Sequence, residues 1–191
     1  MPHPRRLTPS DYRLMPWRNG GGTTTEIIVA PEGAGLGRAQ ERFLYRVSIA
    51  DVATDGPFSR FEGYDRHIML LAGAGMTLDC GPRGRIELTA PLEPHTFSGD
   101  WAVEGTLLAG PVRDFNVIAD RGRASSSLEV RLVDRPELVT CDPGNVCIVH
   151  VIEGGLADAS TGDTFVAGAP FEIVPTVTSR LAIARIGPLQ R

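Results

Sequence analysis

Lysine is absent from this chain of 191 residues, in which arginine supplies all 19 basic side chains. Without a side-chain amine, no Schiff base forms with a carbonyl substrate or with pyridoxal phosphate, and there is neither a P-loop lysine nor a Ser-Lys pair. The 23 acidic residues outnumber the arginines and give a formal net charge of −4. This balance argues against a nucleic-acid partner and against an anionic membrane surface.

Long hydrophobic runs are also lacking. No stretch approaches the roughly 18 apolar residues of a membrane helix, and residues 1–17 hold no apolar core typical of a secretory signal. The three cysteines, Cys80, Cys141 and Cys147, are odd in number and form no CxxC pair. We therefore expect reduced thiols, no zinc site, no membrane partner and a cytoplasmic location.

Histidine is scarce, and its spacing is unsuited to a metal. The four histidines are His3, His67, His95 and His150, and no two of them are close in sequence. Two imidazoles must lie on one side of a strand to meet a single ion, which isolated histidines do not achieve. The sequence therefore predicts no metal and no cofactor.

The hydrophobic pattern has a period of two, which is typical of strands with two different faces. In residues 43–50, apolar side chains alternate with polar ones such as Arg46 and Ser48. Only residues 8–11 and 120–125 suggest short helical turns. Many short strands between Gly/Pro turns predict an all-β fold, a sandwich or a barrel, with very little helix. The strand candidates are 24–30, 43–50, 67–72, 76–80, 85–89, 102–108, 113–119, 128–134, 146–152, 171–174 and 180–186.

A weak internal repeat divides the chain. Residues 67–76 align without gaps on residues 147–156, and each segment shows an apolar strand followed by a glycine turn. In this alignment His67 and His150 do not occupy equivalent positions. The shared order of matches predicts two small β-barrels, the first in residues 1–125 and the second in residues 126–191, with strands free to cross over between them.

Six distinctive sequence blocks follow one another between about residues 12 and 125. The blocks are MPWRNGGGTTTE (15–26), RVSIADV (46–52), DGPFSRF (55–61), GYDR (63–66), FSGD (97–100) and DFNVIADR (114–121). In this order they resemble the HutD/Ves family. The resemblance implies a bicupin, that is, two cupin-type β-barrels of the RmlC-like jelly-roll kind in one chain. It also implies an association with bacterial histidine utilisation, in which family members act as governors of the pathway and are not established enzymes.

The glycine-rich block has two interpretations. Successive glycines allow consecutive backbone amides to converge on an anion, with Trp17, Asn19 and Gly21 as candidate ligand-binding residues. The alternative is a tight turn at the entry to the first long strand. Both interpretations stay open at this point.

Arg66 begins a strand and presents a guanidinium that matches a carboxylate ligand with two parallel hydrogen bonds. The alternative is a structural ion pair with Asp65, Asp51 or Asp55. The sequence does not separate these two roles.

Polar residues alternate with apolar ones on two strands of the predicted first barrel. Asp114 and Asn116 share one face, and Arg46 and Ser48 share one face of an earlier strand. These side chains either line a ligand cavity inside the barrel or lie on its outer surface. Arg121 either neutralises Asp114 or belongs to the following loop.

Three functions remain at this stage. The first is a metal-free bicupin that binds a small anionic metabolite in its N-terminal barrel and regulates histidine utilisation. The second is a metal-independent cupin enzyme on a small carboxylate, with His67 or Tyr45 as acid–base groups. The third, a pure interaction scaffold, leaves the polar strand residues unexplained. Whether the chain forms a homodimer is left open.

Overall fold

The computed structural model describes residues 3–17, 19–32 and 42–189. The chain separates into two compact units: Arg13–Gly122 is the N-terminal unit, and Met1–Tyr12 together with Arg123–Arg191 is the C-terminal unit. In the described residues the only helices are two 3-10 turns, Pro9–Asp11 and Gly81–Arg83. Neither of these helices is long and apolar enough to cross a membrane.

The described residues form strands along most of their length. In chain order these are β1 (Arg5–Leu7), β2 (Arg13–Pro16), β3 (Gly22–Ala30), β4 (Tyr45–Val52), β5 (Gly56–Pro57), β6 (Tyr64–Ala72), β7 (Met76–Asp79), β8 (Arg85–Leu88), β9 (His95–Ser98), β10 (Glu104–Leu107), β11 (Val112–Asp120), β12 (Ser125–Val133), β13 (Glu137–Val139), β14 (Val146–Leu156), β15 (Ala159–Ser160), β16 (Thr164–Ala167), β17 (Phe171–Ile173) and β18 (Pro175–Gly187). The all-β prediction is confirmed.

The N-terminal unit consists of two antiparallel sheets. The larger has the order β2-β3-β4-β11-β6-β9 and the smaller has the order β5-β10-β7-β8. A buried apolar cluster includes Ile68 and Leu70 of β6, Met76 and Leu78 of β7, and Val112 of β11. Burial of these side chains from the two sheets is the main stabilising term of the unit.

The C-terminal unit has a sheet of order β1-β16-β14-β18-β12, with β15 on β14, and a separate pair β13-β17. Its core is apolar and includes Val149, Phe165, Phe171, Leu181 and Ile183. The first strand of the chain, β1, pairs with β16 and so belongs to this unit. The N-terminal residues up to the 3-10 turn therefore lie with the C-terminal strands and not with the first barrel.

Two expectations about local structure have different outcomes. The short turn expected at residues 8–11 is the 3-10 helix Pro9–Asp11, and the Thr8 N–H and hydroxyl before it both donate to Oδ2 of Asp11. The turn expected at residues 120–125 is not a helix, because Asp120 still pairs as a strand and Ser125 already begins the next one.

The strand registers reveal a repeat that differs from the gapless alignment. His67 lies opposite Thr96 in the β6–β9 pair, and His150 lies opposite Thr164 in the β14–β16 pair. The Nδ1 to Oγ1 distances are 2.8 Å and 2.9 Å. The expectation that the two histidines are not equivalent is therefore wrong. The gapless alignment matches the glycine turns of the two units. Because the segment between the histidine and the glycine turn is shorter in the second unit, this alignment puts the two histidines out of register. Strand β14 also contains register shifts.

Candidate functional site

A cavity of about 600 Å³ lies in the N-terminal unit. Its buried wall comes from β4, β6 and β11, which are neighbours in the larger sheet. Its rim comes from the end of β2 and from residues 57–61, where Pro16, Asn19 and Ser59 are exposed. The cavity therefore combines a buried wall with an exposed rim, as small-molecule sites do.

The structure brings together seven of the nine residues that the sequence proposes for ligand binding. Gly21 and Arg121 lie outside the lining, and ligand binding by any of the nine stays a prediction. The lining residues among them are Trp17, Asn19, Arg46, Ser48, Arg66, Asp114 and Asn116.

Arg66 is the buried cation of the cavity, with 5% of its surface exposed. It donates from Nη1 to the carbonyl oxygen of Ser59 at 3.1 Å and from Nη2 to Oδ1 of Asn116 at 3.3 Å. Its Nε has no hydrogen-bond partner among the described residues. Burial lowers the pKa of Arg66 to about 10, and the nearby Asp114 opposes this shift.

The three carboxylates considered as structural partners of Arg66 are engaged elsewhere. Asp51 pairs with Arg113 at 2.7 Å, Asp65 lies 3.6 Å from Arg121, and Asp55 accepts the Leu107 N–H at 2.8 Å. Within the described part of the chain Arg66 makes no ion pair with any of them.

Phenylalanine rings surround the Arg66 guanidinium. Its central carbon lies 5.4 Å, 5.5 Å and 4.9 Å from the ring centres of Phe58, Phe61 and Phe97. Ring faces attract a cation without neutralising its charge. The rings therefore hold the buried guanidinium in place without supplying a counter-charge.

Asp114 is fully buried beside this arginine. Its Oδ1 accepts a short hydrogen bond from Nδ2 of Asn116, and its Oδ2 has no partner among the described residues. Asn116 thus bridges Arg66 and Asp114, which fixes the orientation of its amide. Burial raises the pKa of Asp114 to about 7, because the charged form loses its water, while Asn116 and Arg66 act in the opposite direction.

A second arginine is held at the cavity by a glutamate. Arg46 Nε lies 3.0 Å from Oε2 of Glu26, and Nη2 of Arg13 lies 3.1 Å from Oε1 of the same carboxylate. Burial lowers the pKa of Arg46, and Glu26 offsets part of this shift. Sequence reasoning missed Glu26, although its place opposite Ser48 in the β3–β4 pair follows from strand pairing. One carboxylate shared by two arginines leaves the group with a net positive charge.

The profile of the HutD family matches residues 9–172. The chain belongs to the HutD family. Over 112 residues it is 44% identical to an uncharacterized 21.2 kDa protein in the hutC 3' region of Pseudomonas putida, covering 59% of this chain and 56% of that protein. It is 37% identical over 148 residues to protein Ves of Citrobacter koseri, covering 75% of this chain and 72% of that protein. The resemblance to the HutD/Ves family is therefore confirmed.

Solved structures support the fold of this HutD-family chain. A conserved protein of unknown function from Pseudomonas aeruginosa aligns with a TM-score of 0.86 and 28% identity, over 97% of this chain and all of that one (100%). HutD from Pseudomonas fluorescens aligns with a TM-score of 0.80 and 32% identity, over 98% and 100%. The pirin YhhW of Escherichia coli, at 9% identity and a TM-score of 0.68, shares the fold alone. The cupin-type, bicupin architecture is thus confirmed.

The glycine block of the HutD-family chain forms a turn. Gly20 has φ +72, and its N–H donates to the Trp17 carbonyl, while the Gly21 N–H donates to Oδ1 of Asn19. A Cβ at Gly22 would collide with the carbonyl oxygen of Asp51. These contacts account for each glycine and favour the turn interpretation over an anion-binding loop.

Arg121 belongs to a surface cluster that links three HutD sequence blocks. Its Nη2 donates to Oδ2 of Asp100 at 2.6 Å, and Ser98 Oγ donates to the same oxygen at 3.0 Å. Asp100 Oδ1 accepts the Gly63 N–H at 2.6 Å. Arg121 therefore joins a loop to strand ends and does not neutralise Asp114.

We expect Asp100→Ala to lower the thermal midpoint by a few degrees at neutral pH and to leave ligand affinity unchanged. The Gly63 amide hydrogen bond and the Arg121 contact lower the pKa of Asp100 to about 2, so its stabilising effect is present above the unfolded value near 3.8 and is lost as the pH falls through about 2. Thermal unfolding from neutral to acid pH measures this, with the exposed Asp134→Asn as control. Equal acid sensitivity in Asp100→Ala and wild type would contradict it.

The residues proposed for the enzymatic alternative lie outside the cavity lining. His67 bonds to Thr96, and neither His67 nor Tyr45 lines the cavity. In the second unit, burial lowers the pKa of His150 to about 4. Among the residues that the structure describes, no group of three or more histidine, cysteine or acidic side chains is arranged to hold a metal.

Proposed function

We propose that this HutD-family protein binds a small carboxylate in the N-terminal cavity, without a metal ion, and that binding serves the regulation of histidine utilisation. The single observation that carries the proposal is the buried Arg66, which has an unpartnered Nε, no ion pair among the described residues and a place in the cavity wall. A buried charge without a counter-charge costs several kcal/mol. A ligand carboxylate supplies a direct ion-pair partner, which Arg66 does not have among the described residues.

The two units support this placement because they differ at corresponding positions. In the first unit, Arg66 of β6 lies opposite Phe97 of β9 and Ile118 of β11. In the second unit, Val149 of β14 lies opposite Phe165 of β16 and Ile183 of β18 in the same way. Two residues further along, Ile68 pairs with Asn116, and Val151 pairs with Leu181. At these two positions the first unit has the polar Arg66 and Asn116, and the second unit has the apolar Val149 and Leu181.

Charged residues of the second unit satisfy one another. Glu129 lies 2.5 Å from Arg131 and 2.7 Å from Arg185, and Arg131 lies 3.0 Å from Glu137. This cluster needs no ligand for its charge balance. The contrast with Arg66 favours ligand binding in the N-terminal unit.

The link to histidine utilisation rests on the family. The family is HutD, and the Pseudomonas putida relative is named for its position in the hutC 3' region. Intermediates of histidine degradation carry carboxylates, which makes urocanate, formiminoglutamate and formylglutamate the first ligands to test.

Titration calorimetry with these three acids tests the proposal. We expect saturable one-to-one binding of at least one acid, and at least tenfold weaker binding of the ester in which every carboxylate of that acid is methylated, because this ester has no negative charge for Arg66. The exposed Arg113, which pairs with Asp51, provides a control variant, Arg113→Met, with wild-type affinity. Equal binding of acid and ester, or binding of none of the acids, would refute the proposal.

A further inference from the structure

We propose that the cavity takes up one proton together with its carboxylate ligand, and that Asp114 carries this proton and donates it in a hydrogen bond to the ligand. The inference rests on the proposed function and adds to it a specificity-determining residue and a dependence on pH. The proton comes from solvent, and no bond of the ligand is formed or broken.

The geometry leaves one carboxyl oxygen of Asp114 available for this role. Oδ1 already accepts from Asn116, whereas Oδ2 is buried and has no hydrogen-bond partner among the described residues. Asp114 has no ion-pair partner within the described part of the chain and is fully buried. A buried carboxylate that accepts from one uncharged donor is strongly disfavoured in its ionised form.

The charged groups around Asp114 come from the two strands that pair with β11. From β6, Arg66 lines the same cavity and favours the ionised form of Asp114. From β4, Asp51 disfavours the ionised form, although it pairs with Arg113, and Arg46 lines the cavity while held by Glu26 of β3. Residues 57–61 contribute only Pro57, Phe58, Ser59 and Phe61 to the lining, none of which titrates near neutrality.

A bound anion changes the balance between the protonated and the ionised form of Asp114. Two carboxylates that share a poorly hydrated site do not both stay ionised, and one of them takes up a proton. The ligand carboxylate has Arg66 as its counter-charge, so the proton stays on Asp114. The neutral acid then changes from an unpaired acceptor into an O–H donor, and repulsion becomes a hydrogen bond.

The sign of the pH dependence follows from this. The pKa of Asp114 in the free protein is raised to about 7 by burial, so below that pH the residue already carries its proton and affinity does not vary with pH. Above it, each bound ligand takes up one proton, and affinity falls about tenfold for each pH unit. This fall continues up to the pKa of the complex, which the ligand raises further.

The experiment follows the Asp114 carboxyl carbon by NMR in protein labelled at aspartate, with formate as the probe because it is the smallest carboxylate. We expect the Asp114 titration to shift to higher pH by at least one unit at saturating formate, while the signal of the exposed Asp134 is the same with and without formate. In parallel, formate affinity measured by Trp17 fluorescence falls with pH in wild type and in the Asp134→Asn control. In Asp114→Asn, whose amide is a permanent donor, affinity does not vary with pH.

The outcomes separate the two proposals. If formate changes the signals of Asn116 or Trp17 but leaves the Asp114 titration unmoved, the proton-uptake inference is overturned and carboxylate binding stands. If neither formate nor any of the three acids changes a signal from the cavity, carboxylate binding itself is refuted, and this inference with it; an acid that binds where formate does not takes the place of formate in the same titration. The wild-type titration decides the question even if Asp114→Asn does not fold.

Discussion

Arg66→Met lowers the affinity for carboxylates by about 30-fold to 1,000-fold, which corresponds to roughly 2–4 kcal/mol for the loss of a buried charged partner. The effect is large because the guanidinium is 5% exposed and its charge is not balanced by any ion pair within the described residues. Methionine keeps an apolar side chain against the surrounding phenylalanine rings, and sulfur makes favourable contacts with them. The fold is therefore retained while the counter-charge for the ligand disappears.

Calorimetry of wild type, Arg66→Met and the exposed control Arg113→Met against the same acid measures this difference. Arg66→Gln has no charge, but its amide still donates hydrogen bonds. Comparing it with Arg66→Met therefore separates the loss of charge from the loss of hydrogen bonding to Ser59 and Asn116. Equal affinity in Arg66→Met and wild type would remove Arg66 from the site. Loss of folding in both Arg66 variants would show that the arginine serves the structure alone.

The second large effect concerns stability. Asn116→Leu alone lowers the free energy of unfolding by about 3 kcal/mol, because Nη2 of Arg66 loses its acceptor and Asp114 loses its donor inside the core. The triple variant Arg66→Met, Asp114→Leu, Asn116→Leu regains this loss and is at least as stable as wild type. Replacing a complete buried polar group by apolar residues of similar size is often neutral or stabilising.

Urea unfolding of the single and the triple variant tests this expectation. The second unit provides a precedent for two of the three positions, since Val149 and Leu181 correspond to Arg66 and Asn116 and belong to an apolar core cluster, while the buried Ser179 corresponds to Asp114. The triple variant binds no carboxylate. A triple variant less stable than Asn116→Leu would show that the polar floor contributes to stability and is not maintained for binding.

The alternation of polar and apolar residues in the sequence predicts much of this site. On β4 and β11 the period of two placed Arg46 and Ser48 on one face and Asp114 and Asn116 on one face, and all four line the cavity. Strand pairing then brings these faces together, because Asn116 lies opposite Ser48 in the register. Local periodicity is reliable here since the strands are long and regular.

The sequence alone does not predict which distant segments come into contact. The rings around Arg66 come from the loop after β5 and from β9, and nothing local to Phe58 or Phe97 indicates a shared cation. Local pattern left two roles open for Arg121, and only the structure separates them, because β11 ends at Asp120 and the next residue joins the surface cluster around Asp100. The pairing of β1 with β16 is equally non-local. Contacts between distant segments, and not the local strand propensity, determine where these residues lie.

The measurement that tests the central claim most directly is a crystal structure of the protein grown with whichever of urocanate, formiminoglutamate and formylglutamate binds most tightly. We expect a carboxylate of that acid in the N-terminal cavity, within hydrogen-bond distance of the Arg66 guanidinium and of the Asp114 carboxyl group. An empty cavity at a saturating concentration of that acid, or the acid bound only outside the cavity lining, would contradict the claim.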